Sequence, residues 1–329
     1  MIRPAEICAE KNLPVALRLA VTDRCQHRCL YCVPAQGILK CAHGDILSYE
    51  EIVSFVAGVR RSCGLSRVRL TGGDPLARRD VTTLVEMLAA LDLPDLSLTT
   101  NGAQLGELAA DLKRAGLRRL NVSLDSLRPE TFRQLTRGGD LAGVLRGLRA
   151  ALACGLHPVR LNMVVLRSIN DGEVAELARF ALDLGCELRF LELMPIGSAA
   201  ARFSEWFVPS AEVKSRLEQS FDLAPLANES GSTSVNFAAR SADGRSGTIG
   251  FISSVSNSFC AACRRLRLTP TGLLLGCLAR PEGLDLRPIL RGPPEARDPA
   301  LAQAVQEALS LKGRRRCFAD QRPMVGVGG

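Results

Sequence analysis

The stretch that most constrains this chain is Cys25-Gln26-His27-Arg28-Cys29-Leu30-Tyr31-Cys32, which follows an apolar run from Leu17 to Val21. Three cysteines in CxxxCxxC spacing can ligate three corners of a cubane iron–sulfur cluster, leaving the fourth iron without a protein ligand. An open coordination position is what a catalytic metal keeps for a substrate or cofactor, whereas a structural zinc site closes all four. His27 is a candidate fourth ligand, but it lies between the cysteines, where one ion is hard to wrap. The spacing therefore predicts an open-iron [4Fe–4S] cluster on Cys25, Cys29 and Cys32, with zinc as the alternative.

The other cysteines support ligation over disulfides. Of the twelve in this 329-residue chain, six fall in two tight groups, the second being Cys260, Cys263 and Cys277. Cys8, Cys41, Cys63, Cys154, Cys186 and Cys317 are scattered and are expected to be packing residues. The chain opens Met1-Ile2-Arg3-Pro4-Ala5-Glu6 with no apolar signal region, and no run approaches ~18 uninterrupted apolar residues. The expectation is a cytoplasmic protein without a membrane span, in a compartment where close cysteine spacing means metal or cluster ligation. A formal net charge of +8 favours an anionic partner. A nucleotide triphosphate fits. Nucleic acid is not expected, because no aromatic-studded basic stripe is present and the run Arg314-Arg315-Arg316 is short enough to read as a solvated face.

From Ala16 to Pro195 short apolar runs alternate with longer amphipathic ones. Strands are expected to begin near Leu17, Val68, Leu96, Leu120, Val159 and Leu188. Helices are expected over Ser48–Cys63, Arg79–Leu91, Gly106–Ala115, Leu141–Cys154 and Gly172–Leu184. Ser48 with Glu51 three residues later reads as a capping box. Six βα units imply a parallel sheet with right-handed crossovers, an α/β fold of the partial (βα)6 TIM-barrel type. After Pro195 a helix is expected over Pro209–Ser220, then a linker or hairpin over Ala227–Gly247, which places a boundary between a barrel at 1–225 and a C-terminal domain at 226–329. In barrels of this kind the chemistry sits at the C-terminal ends of the strands. Polar endings recur there: Thr22-Asp23-Arg24, Thr71-Gly72-Gly73-Asp74-Pro75, Thr99-Thr100-Asn101, Ser123-Leu124-Asp125 and Glu192-Leu193-Met194.

The cysteine motif, with an aromatic residue before its last cysteine, and these endings resemble the radical S-adenosylmethionine (SAM) superfamily. The resemblance implies that the open iron binds SAM and that one electron, from an external donor, cleaves it to methionine and a 5′-deoxyadenosyl radical. It implies a SAM pocket lined by Tyr31, Gly73, Ser123 and Met194. Gly72-Gly73-Asp74-Pro75 departs from the superfamily's usual Gly-Gly-Glu-Pro by one methylene and keeps the charge.

The second constellation, Phe259-Cys260-Ala261-Ala262-Cys263-Arg264-Arg265-Leu266-Arg267, runs on to Gly276-Cys277. Again three thiolates lack an obvious fourth; a zinc ribbon with Cys317 is the alternative. Arg265 and Arg267 alternate, so on a strand both face one side, and guanidiniums suit bidentate contact with phosphate. Two three-cysteine sites, the Arg-x-Arg pair and a terminal Gly328-Gly329 resemble the GTP 3′,8-cyclase family of molybdenum cofactor biosynthesis, over about Leu17 to Gly329. The resemblance implies conversion of GTP to (8S)-3′,8-cyclo-7,8-dihydroguanosine 5′-triphosphate: the radical takes the ribose 3′ hydrogen and the carbon radical attacks guanine C8. It implies two [4Fe–4S] clusters, the second anchoring the guanine, and GTP contacts at Arg18, Arg69, Thr99, Arg160, Arg265, Leu266 and Arg267, with Arg189 near the triphosphate. Arg160 stands where the family more usually has lysine. Gly328 and Gly329 would enter the active site and be needed for catalysis. The product would pass to cyclic pyranopterin monophosphate synthase, and homodimerisation is left open. Two other readings are a peptide-modifying radical SAM enzyme with an auxiliary cluster and a zinc-binding nucleic-acid module. The Arg265–Arg267 pair and the terminal glycines speak against the first, the six βα units against the second.

Overall fold

The computed structural model describes residues 14–227, 232–260, 263–312 and 324–327. Cys8, Cys317, Arg314–Arg316, Gly328 and Gly329, each named above, lie outside the described residues.

Each early strand carries one apolar face and one polar face, and that alternation sets the architecture. In β2 (Leu65–Thr71), Val68 and Leu70 are fully buried, while Arg67 and Arg69 alternate with them. In β1 (Val15–Ala20), Leu17 and Leu19 do the same around Arg18. With β3 (Leu96–Thr100), β4 (Arg119–Ser123), β5 (Val159–Val165) and β6 (Glu187–Glu192), these strands pair in parallel and in order. Their apolar faces pack into one core with the crossover helices α1 (Tyr49–Cys63), α2 (Val81–Ala89), α3 (Leu105–Arg114), α4 (Pro129–Thr136), α5 (Leu141–Ala153) and α6 (Val174–Asp183). Parallel sheets covered on both faces are usually apolar on both. Here the other face is charged, so the lumen is a chamber and not a packed core.

Element boundaries agree with the sequence reading to within three residues, and α4 is an additional helix in the β4–β5 connection. The capping box forms: Ser48 Oγ accepts the Glu51 N–H at 3.2 Å and Glu51 Oε2 accepts the Ser48 N–H at 2.7 Å.

The later chain consists of α7 (Phe203–Trp206), α8 (Ser210–Leu217), β7 (Phe221–Pro225), β8 (Val235–Ser241), β9 (Ser246–Ile252), β10 (Arg265–Leu268), β11 (Leu273–Leu275), β12 (Gly283–Asp285), α9 (Arg287–Leu290) and α10 (Pro294–Ser310). The Ala227–Gly247 region contributes to the hairpin β8–β9. All twelve strands form one sheet in the order β12-β11-β10-β1-β2-β3-β4-β5-β6-β9-β8-β7. The C-terminal segment thus adds a parallel strand at each end of the six, β10 beside β1 and β9 beside β6. No pairing joins β9 to β10 among the described residues, so the wall curves without closing.

The capping box predicts that Ser48→Ala lowers unfolding free energy by ~1 kcal/mol. A denaturant midpoint that does not move would mean that the reciprocal bonds contribute nothing to α1.

Candidate active site

The first cysteine trio sits on the loop after β1, at the C-terminal mouth of the lumen. Its loop is anchored through backbone bonds: Arg28 N–H to Thr136 O at 3.0 Å, Leu30 N–H to Leu135 O at 2.9 Å and Cys32 N–H to Cys29 O at 2.9 Å. The Gly-Gly turn after β2 is sewn to the same loop, with Gly73 N–H donating to Thr22 O and Asp74 N–H to Arg24 O, each at 2.7 Å. Gly72 has φ +136°, and a Cβ there would stand 2.4 Å from Thr22 O. This backbone approach, as much as ligand access, demands glycine.

Asp74 is buried. Its carboxylate accepts from Thr100 Oγ1 at 2.8 Å, Asn101 N–H at 2.6 Å and Leu76 N–H at 2.9 Å. It ties the ends of β2 and β3 together, a task the shorter side chain performs in full. Burial pushes Asp74 up to about 6. Asn101 then donates from Nδ2 to Cys25 Sγ at 3.4 Å. Tyr31 Oη donates to Asp125 Oδ2 at 2.6 Å, and Asp125 Oδ1 accepts the Val164 N–H at 2.8 Å, tying the cysteine loop to β5. Burial pushes Asp125 up to about 6 as well. Ser123 ends β4, and Met194 follows β6 with its carbonyl taken by Ile196 N–H at 2.8 Å, so both sit on the same mouth.

The trio's chemistry suits a cluster. Burial, Asp125 and the other two thiols push Cys29 well above its usual value, and burial and Asp74 push Cys25 up. Ionising the thiols there needs a compensating positive charge, which iron supplies. His27 is buried edge-on against Phe132, ring centroids 5.7 Å apart, which accounts for the ring in packing terms. Among the described residues, no three His, Cys, Asp or Glu side chains converge on a single-ion site.

The second trio lies at the opposite mouth. Cys263 stands two residues before β10, whose first residue, Arg265, pairs with Ala16 near the start of β1. Cys277 follows β11, which runs antiparallel to β10 and so ends beside the same mouth. At about 3.3 Å per strand residue, the two mouths lie on the order of 15 Å apart. Here the electrostatics reverse. Burial pushes the Cys263 thiol up, but Lys312, Arg265 and Arg267 outweigh it and hold it below its usual value.

Between the mouths lies a cavity of about 250 Å³ lined by Arg18, Arg67, Arg69, Arg119, Arg160, Arg189 and Arg265, with Glu187 as its carboxylate. Register explains the clustering: Arg267, Arg18, Arg69, Ser97 and Arg119 lie side by side across five strands. Arg160 pairs with Glu187 through Nε at 2.5 Å and Nη2 at 3.2 Å, and Arg189 Nη2 reaches the same carboxylate at 3.4 Å. Arg119 pairs with Asp95. Arg18, Arg67, Arg69 and Arg265 make no ion pair among the described residues, and the buried Arg189 Nε and Arg265 Nη2 find no partner. Burial, then Arg189 and Arg265, push Arg69 down to about 9. Burial, then Arg267, Arg265 and Arg69, push Arg18 well below its usual value. Thr99 shares the lumen face in register with Asn121 and Arg160. Leu266 is fully buried in the core on the far side of β10, so a contact from it to a ligand in the lumen would come from its backbone.

Sequence reasoning placed Asn101 in a polar strand ending without giving it a role, and it missed Arg67, Arg119, Glu187 and Lys312. Arg67 was within reach, since it stands two residues from Arg69 on one strand face, and Asn101 closes a polar strand ending. Nothing local marks Lys312.

Residues 19–181 match the Radical SAM superfamily and residues 186–318 match Molybdenum Cofactor Synthesis C. A GTP 3′,8-cyclase of Geobacter sulfurreducens is 45% identical over 327 residues, covering 95% of this chain and 96% of that one. Another, of Moorella thermoacetica, is 47% identical over 299 residues, covering 90% of each. The chain belongs to the GTP 3′,8-cyclase family. That family carries out the first step of molybdenum cofactor biosynthesis, and membership of the radical SAM superfamily brings one [4Fe–4S] cluster and SAM. Among solved structures, Streptococcus suis SuiB bound to S-adenosylmethionine aligns with a TM-score of 0.59 at 13% identity, covering 87% of this chain and 65% of that chain. At that identity the likeness speaks for the fold alone. No helix among the described residues is long and apolar enough to cross a membrane.

The Gly72 contact predicts that Gly72→Ala displaces Thr22 and, with it, the first cysteine loop. SAM affinity should fall at least tenfold while GTP affinity is kept. Unchanged SAM binding would mean that the turn and loop are not coupled.

Proposed function

We propose that this chain cyclises GTP between two [4Fe–4S] clusters, one on Cys25, Cys29 and Cys32 and one on Cys260, Cys263 and Cys277. The observation that carries this is the position of the two trios at opposite mouths of an arginine-rich lumen in which Arg18, Arg67, Arg69 and Arg265 make no ion pair among the described residues. When bound, SAM and the first cluster supply the radical chemistry. The rest falls to the chain. Tyr31, Gly73, Ser123 and Met194 line the first mouth, where SAM is held. Arg18, Arg69, Thr99, Arg160, Arg189, Arg265 and Arg267, with the Leu266 backbone, hold GTP beneath it. A triphosphate offers the negative charge that Arg18, Arg69 and Arg265 lack, and Arg160 can keep Glu187 while turning its remaining N–H groups to phosphate.

The division at 225/226 is functional in this reading: residues 1–225 supply the barrel, and 226–329 supply the second trio and two strands that extend the wall. Val327 is buried, so the described tail ends inside the protein, and Gly328 and Gly329 follow it as the proposed catalytic pair. The electron comes from an external donor, and the product passes to cyclic pyranopterin monophosphate synthase.

Anaerobic reconstitution with GTP and SAM, followed by product analysis, tests the reaction. Iron per chain should fall by about half when either trio is changed to Ala. Full iron in both variants, or zinc in the wild type, would contradict the two-cluster arrangement.

A second measurement concerns the lumen. Changing Arg265 or Arg267 to Ala should weaken GTP binding roughly ten- to a hundredfold, from the ~1.5–3 kcal/mol of a charge-assisted bond, and leave SAM binding intact. GTP affinity unchanged in both would move the substrate elsewhere.

A further inference from the structure

Lys312 follows α10 by two residues, and its ammonium meets three acceptors. It donates to Arg265 O at 2.7 Å, to Gly276 O at 2.5 Å and to Cys263 Sγ at 3.7 Å. Arg265 opens β10 just after Cys263, and Gly276 immediately precedes Cys277. One side chain therefore ties together the two arms that carry Cys263 and Cys277. The approach of α10 is tight enough to dictate sequence: a Cβ on Gly276 would stand 2.1 Å from Ala308 O.

Among the described residues, no carboxylate forms an ion pair with Lys312. Its electrostatic neighbours are Arg267, of like sign, and the sulfurs of Cys263 and Cys277. A partly buried ammonium in such company is costly unless an anion sits against it. The anion that fits is a thiolate-ligated cluster. At the first trio Cys25 receives the neutral amide of Asn101, and Lys40 also bears on it, but burial and Asp74 outweigh these and the thiol stays pushed up, as does Cys29 beside Asp125.

We infer that Lys312 is a positioning residue for the second cluster, holding the Cys263 and Cys277 arms in ligating register and setting a fixed positive charge against one ligand sulfur. This rests on the two-cluster reading above. Net charge and hydrogen bonds to sulfur are what tune a cluster's potential. A cation beside Cys263 favours the more negative, reduced state, so the second cluster is held at a higher potential than its ligands alone would give.

The test uses full-length protein with Cys25, Cys29 and Cys32 changed to Ala, so that only the second cluster is observed, and compares Lys312 with Lys312→Met and Lys312→Gln. Iron per chain and the EPR-monitored midpoint are read after anaerobic reconstitution, with circular dichroism reporting the fold. The expected result is a midpoint more negative by a tenfold change in the oxidised-to-reduced ratio at fixed poise, 59 mV for a one-electron couple. Loss of second-cluster iron from a folded variant also supports the clamp. Lys312→Gln, which keeps a donor for the carbonyls, separates charge from tethering if Lys312→Met does not fold. Full iron and a wild-type midpoint in both variants would overturn the inference. Absence of iron when Lys312 is intact would instead remove the two-cluster reading itself.

Discussion

The site depends on one pairing, β10 laid parallel to β1. It sets Arg265 beside Ala16 and Arg267 beside Arg18. Because the strands run the same way, the loop before β10 and the loop after β1 must open at opposite mouths. The loop after β1 carries Cys25, Cys29 and Cys32, and the loop before β10 carries Cys260 and Cys263 with Cys277 beside them after β11, so the register of four residue pairs fixes how far apart the two cysteine trios stand and what lies between them. An antiparallel β10 would put Cys263 beside Cys25. The extra parallel strands also explain how six βα units enclose a chamber: β9 and β10 lengthen the wall at both ends, where two more repeats would stand in a closed barrel.

What fills the chamber is mostly positive charge, seven lining arginines against the one carboxylate of Glu187. Each lumen arginine is carried on a strand whose opposite face is anchored by fully buried apolar residues such as Leu17, Val68, Leu120 and Leu188. Burial of each such side chain contributes ~1.5–3 kcal/mol, which is enough to hold a neighbouring guanidinium in an unfavourable place. The repulsion is thus stored by the core and is relieved by a polyanion. The two mouths are polarised oppositely. Asp74 and Asp125 bear on the first trio, while Lys312, Arg265 and Arg267 bear on the second. One mouth suits a positively charged cofactor and the other an anionic substrate.

Much of this was legible in the sequence, because local pattern and chemistry coincide there. The CxxxCxxC spacing, the period-two arginines and the helix-terminal glycines are all short-range signals. The six strands and the capping box at Ser48 followed from them. What escaped is long-range. No local feature says that β10 returns to β1 or that β9 lies against β6, since both pairings join residues more than fifty positions apart. Leu266 shows what a residue list carried across by resemblance leaves unsaid: the strand turns its side chain into the core and leaves its backbone to the lumen. Lys312 shows the converse, a lone lysine past a helix end that acquires meaning only when three acceptors around the start of β10 and just past the end of β11 converge on it.

The most direct measurement is the EPR signal of the reduced second cluster in protein lacking the first trio, recorded with GTP and, separately, with SAM. If the substrate lies in the arginine chamber against the second mouth, GTP should alter the signal and SAM should leave it unchanged. A signal that responds to SAM and not to GTP, or one indifferent to GTP at saturating concentration, would contradict the placement of GTP between the clusters.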